Sequence, residues 1–184
     1  MLGGRIDHTH STLFIPGGHD ATIPKSVLRR SCGHDTLGCR TTAPAALTDA
    51  QRLTITDSIL TITRGFATAI NALDADRFSP IFSSDPALTF AADGNLMLVS
   101  HDSLMSMYRA IYSGFRKADF AWDTLRVSVL SPDVAVLSGA GHLSVTDKTG
   151  KTAHQGVAVT YVFVQRTGKW QLLHGHASHR TLTS

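Results

Sequence analysis

Histidine and tyrosine side chains are the groups in this sequence best suited to proton chemistry. His142 and Tyr161 stand in two predicted neighbouring strands, Val134 to Val145 and His154 to Gln165. An imidazole takes up and releases protons near neutral pH, and a phenol donates a hydrogen bond that polarises a carbonyl. We therefore predict His142 as a general acid or base and Tyr161 as its catalytic partner, both facing one cavity, with Tyr112 as the alternative group that polarises the carbonyl. Such chemistry needs no external cofactor.

Aromatic side chains elsewhere are candidates for the wall of that cavity. Tyr108 and Tyr112 are four residues apart in a helical pattern that runs from Ser100 to Phe115. This spacing fits core packing and pocket lining equally well. Trp122 stands near the start of its strand, where it can form part of the mouth of a pocket.

The histidines of the last strand raise the question of a metal. His174 and His176 are two residues apart, so they share one face of a strand and can offer two imidazoles to one ion. His179 has the opposite parity, and no carboxylate is adjacent in the sequence. We therefore predict no metal here and expect histidines that are hydrogen-bonded within the sheet or at an interface. Trp170, which we place on the face of His174 and His176, is assigned to packing.

The first 47 residues differ in composition from the rest. They hold Gly-Gly pairs, scattered prolines and histidines, and neither a helical nor a strand period. Cys32 and Cys39 flank His34, but structural zinc sites supply paired ligands at both ends, so we take the two cysteines as incidental thiols. We predict a disordered tail over 1–47 and one domain over 48–184.

Composition excludes several classes of function. The formal net charge is +3, and five basic residues against three aspartates in 1–47 account for most of it. The domain therefore lacks the basic face that nucleic-acid binding needs. All 14 acidic residues are aspartates, so carboxylate chemistry would use a short side chain. No stretch approaches the roughly 18 apolar residues of a membrane span, and the N-terminus has no apolar signal core. We expect a cytoplasmic protein without membrane contact.

Apolar periodicity predicts the order of the elements. A helix begins near Thr48 with apolar residues at spacings of three and four, and a short helix follows over Asp74 to Phe78. Asp93-Gly94-Asn95 predicts a hairpin, and Ser100 to Phe115 predicts a third helix. Four long strands complete the chain, namely Phe120 to Leu130, Val134 to Val145, His154 to Gln165 and Lys169 to Ser178. The prediction is an α+β fold, a curved antiparallel sheet wrapped around three helices.

Three motifs in this order resemble one known family. They are AspGlyAsnLeu in the hairpin, SerProAspValAlaValLeu before a long strand, and GlyLysTrpGlnLeuLeuHisGlyHisAlaSer near the end. The chain from Thr48 to His179 resembles the nuclear transport factor 2-like superfamily, above all its SnoaL-like group, and is also similar to the association domain of calcium/calmodulin-dependent kinase II. The resemblance implies a cone-shaped barrel with a deep pocket between helices and sheet, and a homodimer that forms through the sheet.

The resemblance also implies which positions line the pocket. Relatives similar to the kinase association domain place arginines at three positions that fall on His142, Tyr161 and Ala177 here, and none of the three is arginine. Isomerase-like relatives use an aspartate near the first strand as the base, which points to Asp93. Asp93 also suits its turn, and we favour the turn role. The full set of predicted pocket-lining residues is Tyr108, Tyr112, Trp122, Phe163 and Ala177.

Two classes of function remain open at this point. The first is a small-molecule pocket, with isomerase, cyclase or dehydratase chemistry on a small carbonyl compound. The second is an association module that dimerises through its sheet and does no chemistry, with a cavity filled by Tyr112, Phe163 and methionines. A carrier that binds a ligand without turnover is a third option. We favour ligand binding and leave catalysis open.

Overall fold

The computed structural model describes residues 46–98 and 100–182. The predicted disordered tail over 1–47, with Cys32, His34 and Cys39, lies almost wholly outside the described residues. The boundary of the predicted domain at 48–184 therefore stays a prediction.

The first element is a long helix, α1, over Asp49–Asn71. Thr48 caps it: the Thr48 side chain accepts from the Gln51 amide, and the Gln51 side chain accepts from the Thr48 amide, which satisfies two amides that have no partner within the helix. The buried face follows the predicted spacing and comprises Ile55, Ile59, Thr63, Phe66 and Ala69. The prediction of this helix from its apolar period is confirmed.

The second predicted helix is a single turn of 3₁₀ helix over Ala75–Phe78. The Asp74 carboxylate accepts from the amides of Asp76 and Arg77, which starts the turn. Pro80 has no N–H to donate the next helical hydrogen bond, so the turn stops. The third predicted helix is α2, over His101–Ser113, with Leu104 and Met105 buried. The described residues therefore form two α-helices and one 3₁₀ turn, and the predicted three helices are not confirmed.

Six strands form one sheet in the order β2-β1-β6-β5-β4-β3. Their bounds are β1 Thr89–Ala92, β2 Asn95–Leu98, β3 Phe115–Ser131, β4 Val134–Asp147, β5 Thr152–Arg166 and β6 Lys169–Thr181. Strands β3 to β6 form an antiparallel meander, as predicted, whereas β1 pairs with β6 in parallel. Within the described part of the chain, β2 and β3 remain the two edges of an open sheet. The expectation of a closed barrel and a wholly antiparallel sheet is corrected on these points.

Two bulges decide which side chains face the helices. On β3, Trp122 pairs with Gly141 and Thr124 pairs with Ala140, so Asp123 is the extra residue. On β6, Phe163 pairs with Leu172 and Val162 pairs with His174, which leaves Leu173 as the extra residue. A bulge shifts the alternation by one residue and bends the strand.

The bulge at Leu173 corrects the assignment of Trp170. Leu172 is fully buried, and Trp170 packs against the core. Beyond the bulge, the buried positions are Gly175 and Ala177, so His174 and His176 point to the outer face. Trp170 is therefore on the opposite face from these two histidines, because one extra residue reverses the parity.

Hydrogen bonds from α1 hold the inner face of the sheet against the helix. The Asn71 amide nitrogen donates to the carbonyl of Phe120 at 3.1 Å, and the Phe120 amide donates back to the Asn71 oxygen at 2.6 Å. Trp122 Nε1 donates to the carbonyl of Thr63 at 3.1 Å. These bonds fix the middle of β3 along α1 and so shape one wall of the cavity described next.

Candidate functional site

A cavity of about 430 Å³ lies between the inner face of the sheet and the helices. Its volume is within the range of small-molecule sites in proteins. The lining is mostly apolar and aromatic, and its polar members are Asp93, Tyr108, Tyr112, Trp122, Gln155, Tyr161 and His179. An apolar cavity with a few polar groups is the arrangement that binds and orients an organic ligand.

Most of the predicted pocket residues line this cavity. Tyr108 and Tyr112 reach it from α2, Trp122 from β3, Tyr161 from β5 and Ala177 from β6. Phe163 is the exception among the predicted lining residues: it is fully buried in the core, edge-on to Tyr161 at a centroid distance of 6.4 Å. Phe163 therefore supports the wall from behind.

His142 lies on the opposite face of the sheet. Its neighbours Gly141 and Leu143 point inward, where Leu143 lines the cavity, so the alternation of β4 turns His142 outward. The His142 side chain is 54% exposed, and its Nδ1 lies 3.0 Å from Oδ1 of Asp123. The structure does not bring the two predicted catalytic side chains together, because His142 and Tyr161 occupy different faces. This corrects the expectation of a shared cavity.

A different histidine reaches the cavity, in a pair with an aspartate. His179 Nδ1 lies 2.8 Å from Oδ2 of Asp93, and the backbone amide of His179 donates to Oδ1 of Asp93, also at 2.8 Å. Both residues line the cavity, and their side chains are 31% and 49% exposed. The pair therefore stands where the cavity meets solvent.

Asp93 keeps its turn role as well. Asp93 and Gly94 have φ values of 49° and 84°, and the two residues on either side of them, Ala92 and Asn95, are paired. This is the two-residue hairpin turn with both central residues in the left-handed region, which aspartate and glycine favour. Because Ala92 pairs with Ala177 in parallel, the turn lies near the end of β6, beside His179. Turn geometry and side-chain pairing coexist at Asp93.

The electrostatics of the pair define its protonation. The hydrogen bonds from the side chain and from the backbone amide of His179 lower the pKa of Asp93 below its ordinary value. An ionised carboxylate only accepts hydrogen bonds, so His179 Nδ1 carries the proton between them. In the neutral imidazole, Nε2 then holds a lone pair and can act as a base.

Three tyrosines form the other polar group of the cavity. Burial raises the pKa of Tyr108, Tyr112 and Tyr161 far above the ordinary value for a phenol. All three hydroxyls therefore stay protonated and available as donors across the physiological pH range.

Sequence reasoning missed His179, although a signal was present. Ala177 was assigned to the pocket, and His179 shares its parity on the same strand. The opposite parity of His179 from His174 and His176 was noted only as an obstacle to a metal site. Among residues 46–98 and 100–182, no three His, Cys, Asp or Glu side chains group in a way that could hold a metal ion.

The family of this chain follows from comparison with known proteins. The sequence pattern of the SnoaL-like domain matches residues 59–181, and the chain belongs to this family. The fold is the nuclear transport factor 2-like fold, as the resemblance in the sequence implied. No curated protein matches the chain. In the part of the chain that the structure describes, no helix is long and apolar enough to span a membrane.

Solved structures share the fold at low sequence identity. A nuclear transport factor 2-like protein from Salmonella enterica serovar Typhimurium is 17% identical with a TM-score of 0.64, over 72% of this chain and 96% of that one. A candidate scytalone dehydratase from Novosphingobium aromaticivorans is 12% identical with a TM-score of 0.64, over 74% and 89%. The hexachlorocyclohexane dehydrochlorinase LinA-type3 from Novosphingobium barchaimii is 13% identical with a TM-score of 0.62, over 74% and 92%.

Proposed function

We propose that this SnoaL-like protein binds a small carbonyl compound and removes a proton from the carbon next to the carbonyl, with His179 as the base. The observation that carries the proposal is the His179–Asp93 pair in the wall of a largely apolar cavity. His179 takes the role that we predicted for His142 from the sequence. The reaction type is that of a cofactor-free isomerase, cyclase or dehydratase.

The proton transfer uses the free nitrogen of His179. Nε2 takes the proton of the C–H bond, and the electron pair of that bond moves into an enolate. Asp93 holds the imidazole through Nδ1 and stabilises the positive charge that develops on the ring. A positioned base contributes about 10²- to 10⁴-fold to the rate of such a step.

A leaving group one carbon further on converts the enolate into an elimination. For a β-hydroxy ketone, the C–O bond breaks, a C=C bond forms, and the proton from His179 leaves with the hydroxide as water. The base is then free for the next turnover. The balance closes without an oxidant or a reductant.

The names of two structural neighbours are compatible with this chemistry. A dehydratase removes water and a dehydrochlorinase removes hydrogen chloride, so both names describe loss of a proton together with a leaving group. At 12% and 13% identity these neighbours show the fold alone, and their names support the proposal only as a shared reaction type.

The test is dehydration of a defined β-hydroxy ketone, 4-hydroxy-4-phenylbutan-2-one, followed by the absorbance of the conjugated enone. We expect the full chain to accelerate enone formation and His179→Ala to abolish the acceleration, while His142→Ala, the matched control on the other face, keeps it. Equal acceleration by the full chain and by His179→Ala would exclude His179 as the base. A second readout is incorporation of solvent deuterium beside the carbonyl of 2-tetralone, which detects proton removal without a leaving group.

A non-catalytic association module or a carrier is the second candidate function. The homodimer through the sheet belongs to this candidate and to the enzyme alike. The cavity favours a ligand over a pure scaffold, because Phe163 does not fill it. Native mass spectrometry separates the candidates: a dimer with a retained organic mass and no turnover is a carrier, and a dimer without either is an association module. We propose the cytoplasm as its location.

A further inference from the structure

The three tyrosines of the cavity form one cluster. Tyr108 and Tyr112 have ring centroids 6.0 Å apart, and both rings pack against Phe78, at 5.1 Å and 5.8 Å. Tyr161 stacks on Phe66 at 5.5 Å on the neighbouring side. Burial is the main cause of the raised pKa values of Tyr112 and Tyr161, and neighbouring phenols add to it: Tyr108 and Tyr161 for Tyr112, and Tyr108 for Tyr161. The three hydroxyls therefore belong to one region of the cavity wall.

The hydroxyls of this tyrosine cluster have no hydrogen-bond partner within the described residues. In the same part of the chain, every fully buried side-chain oxygen or nitrogen has a hydrogen-bond partner. The phenol oxygens must therefore be open to the cavity, which all three residues line. Hydroxyls that are open to the cavity and unpaired within the described residues are free to donate to an acceptor that comes with the ligand.

The rest of the wall restricts the acceptor to an uncharged group. Asp93 is the one charged side chain among the acidic and basic residues that line the cavity, and no lysine or arginine contributes to the described lining. At the tyrosine cluster, away from His179, a carboxylate or phosphate would have to give up its hydration without a lysine or arginine to replace it. Nine of the 24 lining residues are aromatic, which favours a ligand with a flat ring that can stack on them.

The tyrosine cluster and His179 stand at different positions along the sheet. Tyr161 pairs with Gly175, and His179 is four residues further along β6. This is about 13 Å along the strand, at roughly 3.3 Å per residue. A ketone oxygen held by the tyrosine cluster is therefore a separate group from the carbonyl beside the carbon that His179 deprotonates. A ligand that engages both sites carries a ring system between these two groups.

We propose that Tyr108, Tyr112 and Tyr161 form a carbonyl-binding site that selects uncharged aryl or fused-ring ketones as the ligands of this cavity. The three hydroxyls converge on the ketone oxygen, and the aromatic wall stacks on the ring. This inference names the ligand class of the cavity in the proposed function and rests on that cavity, but the tyrosine site does not require His179.

Three probes of matched shape test the site by calorimetry on the full chain. They are 2-acetylnaphthalene, an uncharged ketone; 2-isopropenylnaphthalene, which replaces the ketone oxygen by carbon; and 2-naphthoate, which carries a charge. We expect the ketone to bind about 5- to 10-fold more tightly than the hydrocarbon, the effect of one or more net hydrogen bonds. The naphthoate should bind at least about 10-fold more weakly than the ketone, because no cation compensates its charge. Equal affinity for ketone and hydrocarbon would overturn the proposal, as would tighter binding of the naphthoate.

Tyrosine-to-phenylalanine variants keep each ring and remove only its donor. We expect Tyr108→Phe, Tyr112→Phe and Tyr161→Phe each to weaken ketone binding by about twofold, so that the three losses together account for the ketone preference, and to leave hydrocarbon binding unchanged. The carbonyl stretch of ketone labelled with ¹³C should shift to lower frequency on binding, and the variants should reverse part of that shift. An unshifted stretch in the wild-type complex would contradict the proposal without any variant.

The tyrosine site and the His179 chemistry can fail separately. His179→Ala should retain the preference for ketone over hydrocarbon while it loses enone formation. If the full chain shows no turnover but still prefers the ketone, only the proton transfer is contradicted. Turnover that depends on His179, without any preference for the ketone, would contradict the tyrosine site alone.

Discussion

Two histidine–aspartate pairs lie on opposite faces of the same sheet. His179 and Asp93 are 2.8 Å apart on the cavity side, and His142 and Asp123 are 3.0 Å apart on the outer side. The side chains and bond lengths are nearly the same. The surroundings differ, because the inner pair borders an apolar cavity whereas the outer pair is more than half exposed. A histidine–aspartate bond alone therefore does not define a site, and the face of the strand decides what the pair can do.

The backbone builds the two pairs in different ways. The outer pair depends on a bulge, since Asp123 is the extra residue that turns outward beside His142. The inner pair depends on a hairpin turn, which the parallel pairing of β1 with β6 places beside the end of β6. There the His179 amide also donates to the Asp93 carboxylate. The second hydrogen bond fixes both oxygens of Asp93. The inner aspartate is therefore oriented by backbone as well as by its histidine.

The largest expected effect is on the rate of enone formation, when each of the two aspartates is replaced by asparagine in turn. Asp93→Asn keeps the shape of the inner pair, but an amide can donate to His179 and so hold the wrong tautomer. We expect a fall of about 100-fold in the rate of enone formation from 4-hydroxy-4-phenylbutan-2-one, within the range for loss of an oriented base. Asp123→Asn is the matched change in the outer pair and should leave the rate within about twofold. Equal losses in the two variants would remove the functional distinction between the faces.

Two glycines give the next comparison, this time in stability. Gly141 lies opposite Trp122 at the β3 bulge, and a methyl group there would press against the backbone carbonyl oxygen of Ala121. Gly156, opposite His142 on the outer face, has no atom closer than 3.7 Å to the position of such a methyl group. We expect Gly141→Ala to lower the free energy of unfolding by about 1–3 kcal/mol, the usual cost of overpacking. Gly156→Ala should change it by less than about 0.5 kcal/mol. Urea unfolding of both variants measures the difference, and a neutral Gly141→Ala would show that the bulge is not tightly held.

The sequence predicted the elements better than their relations. The apolar period of Ile55, Ile59 and Phe66 required a helix, and Asp93-Gly94 required a tight hairpin, because both signals are local. The parallel pairing of β1 with β6 and the bulges at Asp123 and Leu173 depend on contacts between distant strands. Neither periodicity nor turn chemistry contains that information.

The candidate site shows the same limit at single residues. Tyr161 was predicted to face the cavity because a tyrosine in the middle of a central strand must direct its hydroxyl to the cavity or to a buried partner, and it lies in the cavity wall. His142 was misplaced because an error of one residue in strand alignment reverses the face, and Gly141 and Leu143 are the inward positions. The bond between Asp93 and His179 joins residues 86 apart in the chain, so only the folded sheet reveals it.

A smaller effect is expected in the pH dependence of stability. The hydrogen bonds from His179 lower the pKa of Asp93 in the folded protein, and the charge of His176 adds to this in the same direction. A carboxyl with a lowered folded pKa adds stability above its unfolded pKa, about 3.9, and loses it as pH falls through the folded value. The wild type should therefore lose more stability than Asp93→Asn when pH falls from about 4.5 to about 2.5.

Urea unfolding at several pH values in this window measures the difference between the two proteins. Asp147, whose pKa is lowered chiefly by a hydrogen bond from the Thr149 side chain, contributes equally to both proteins and cancels. Parallel curves for wild type and Asp93→Asn would mean that the inner pair does not stabilise the folded state.

The smallest expected effect is the change in the free energy of unfolding when the outer pair is removed. Both partners are more than half exposed, at 54% for His142 and 57% for Asp123, so water screens their interaction. Exposed pairs of this kind contribute about 0.2–1 kcal/mol, and we expect His142→Ala to change the free energy of unfolding by no more than about 0.5 kcal/mol. Subunit number should be measured on the same samples by native mass spectrometry, because a homodimer that buries the outer face would withdraw His142 from water. A loss above about 2 kcal/mol in a dimeric protein, absent on dilution to monomer, would place His142 at the subunit contact. The outer pair would then serve assembly, while the inner pair serves the cavity.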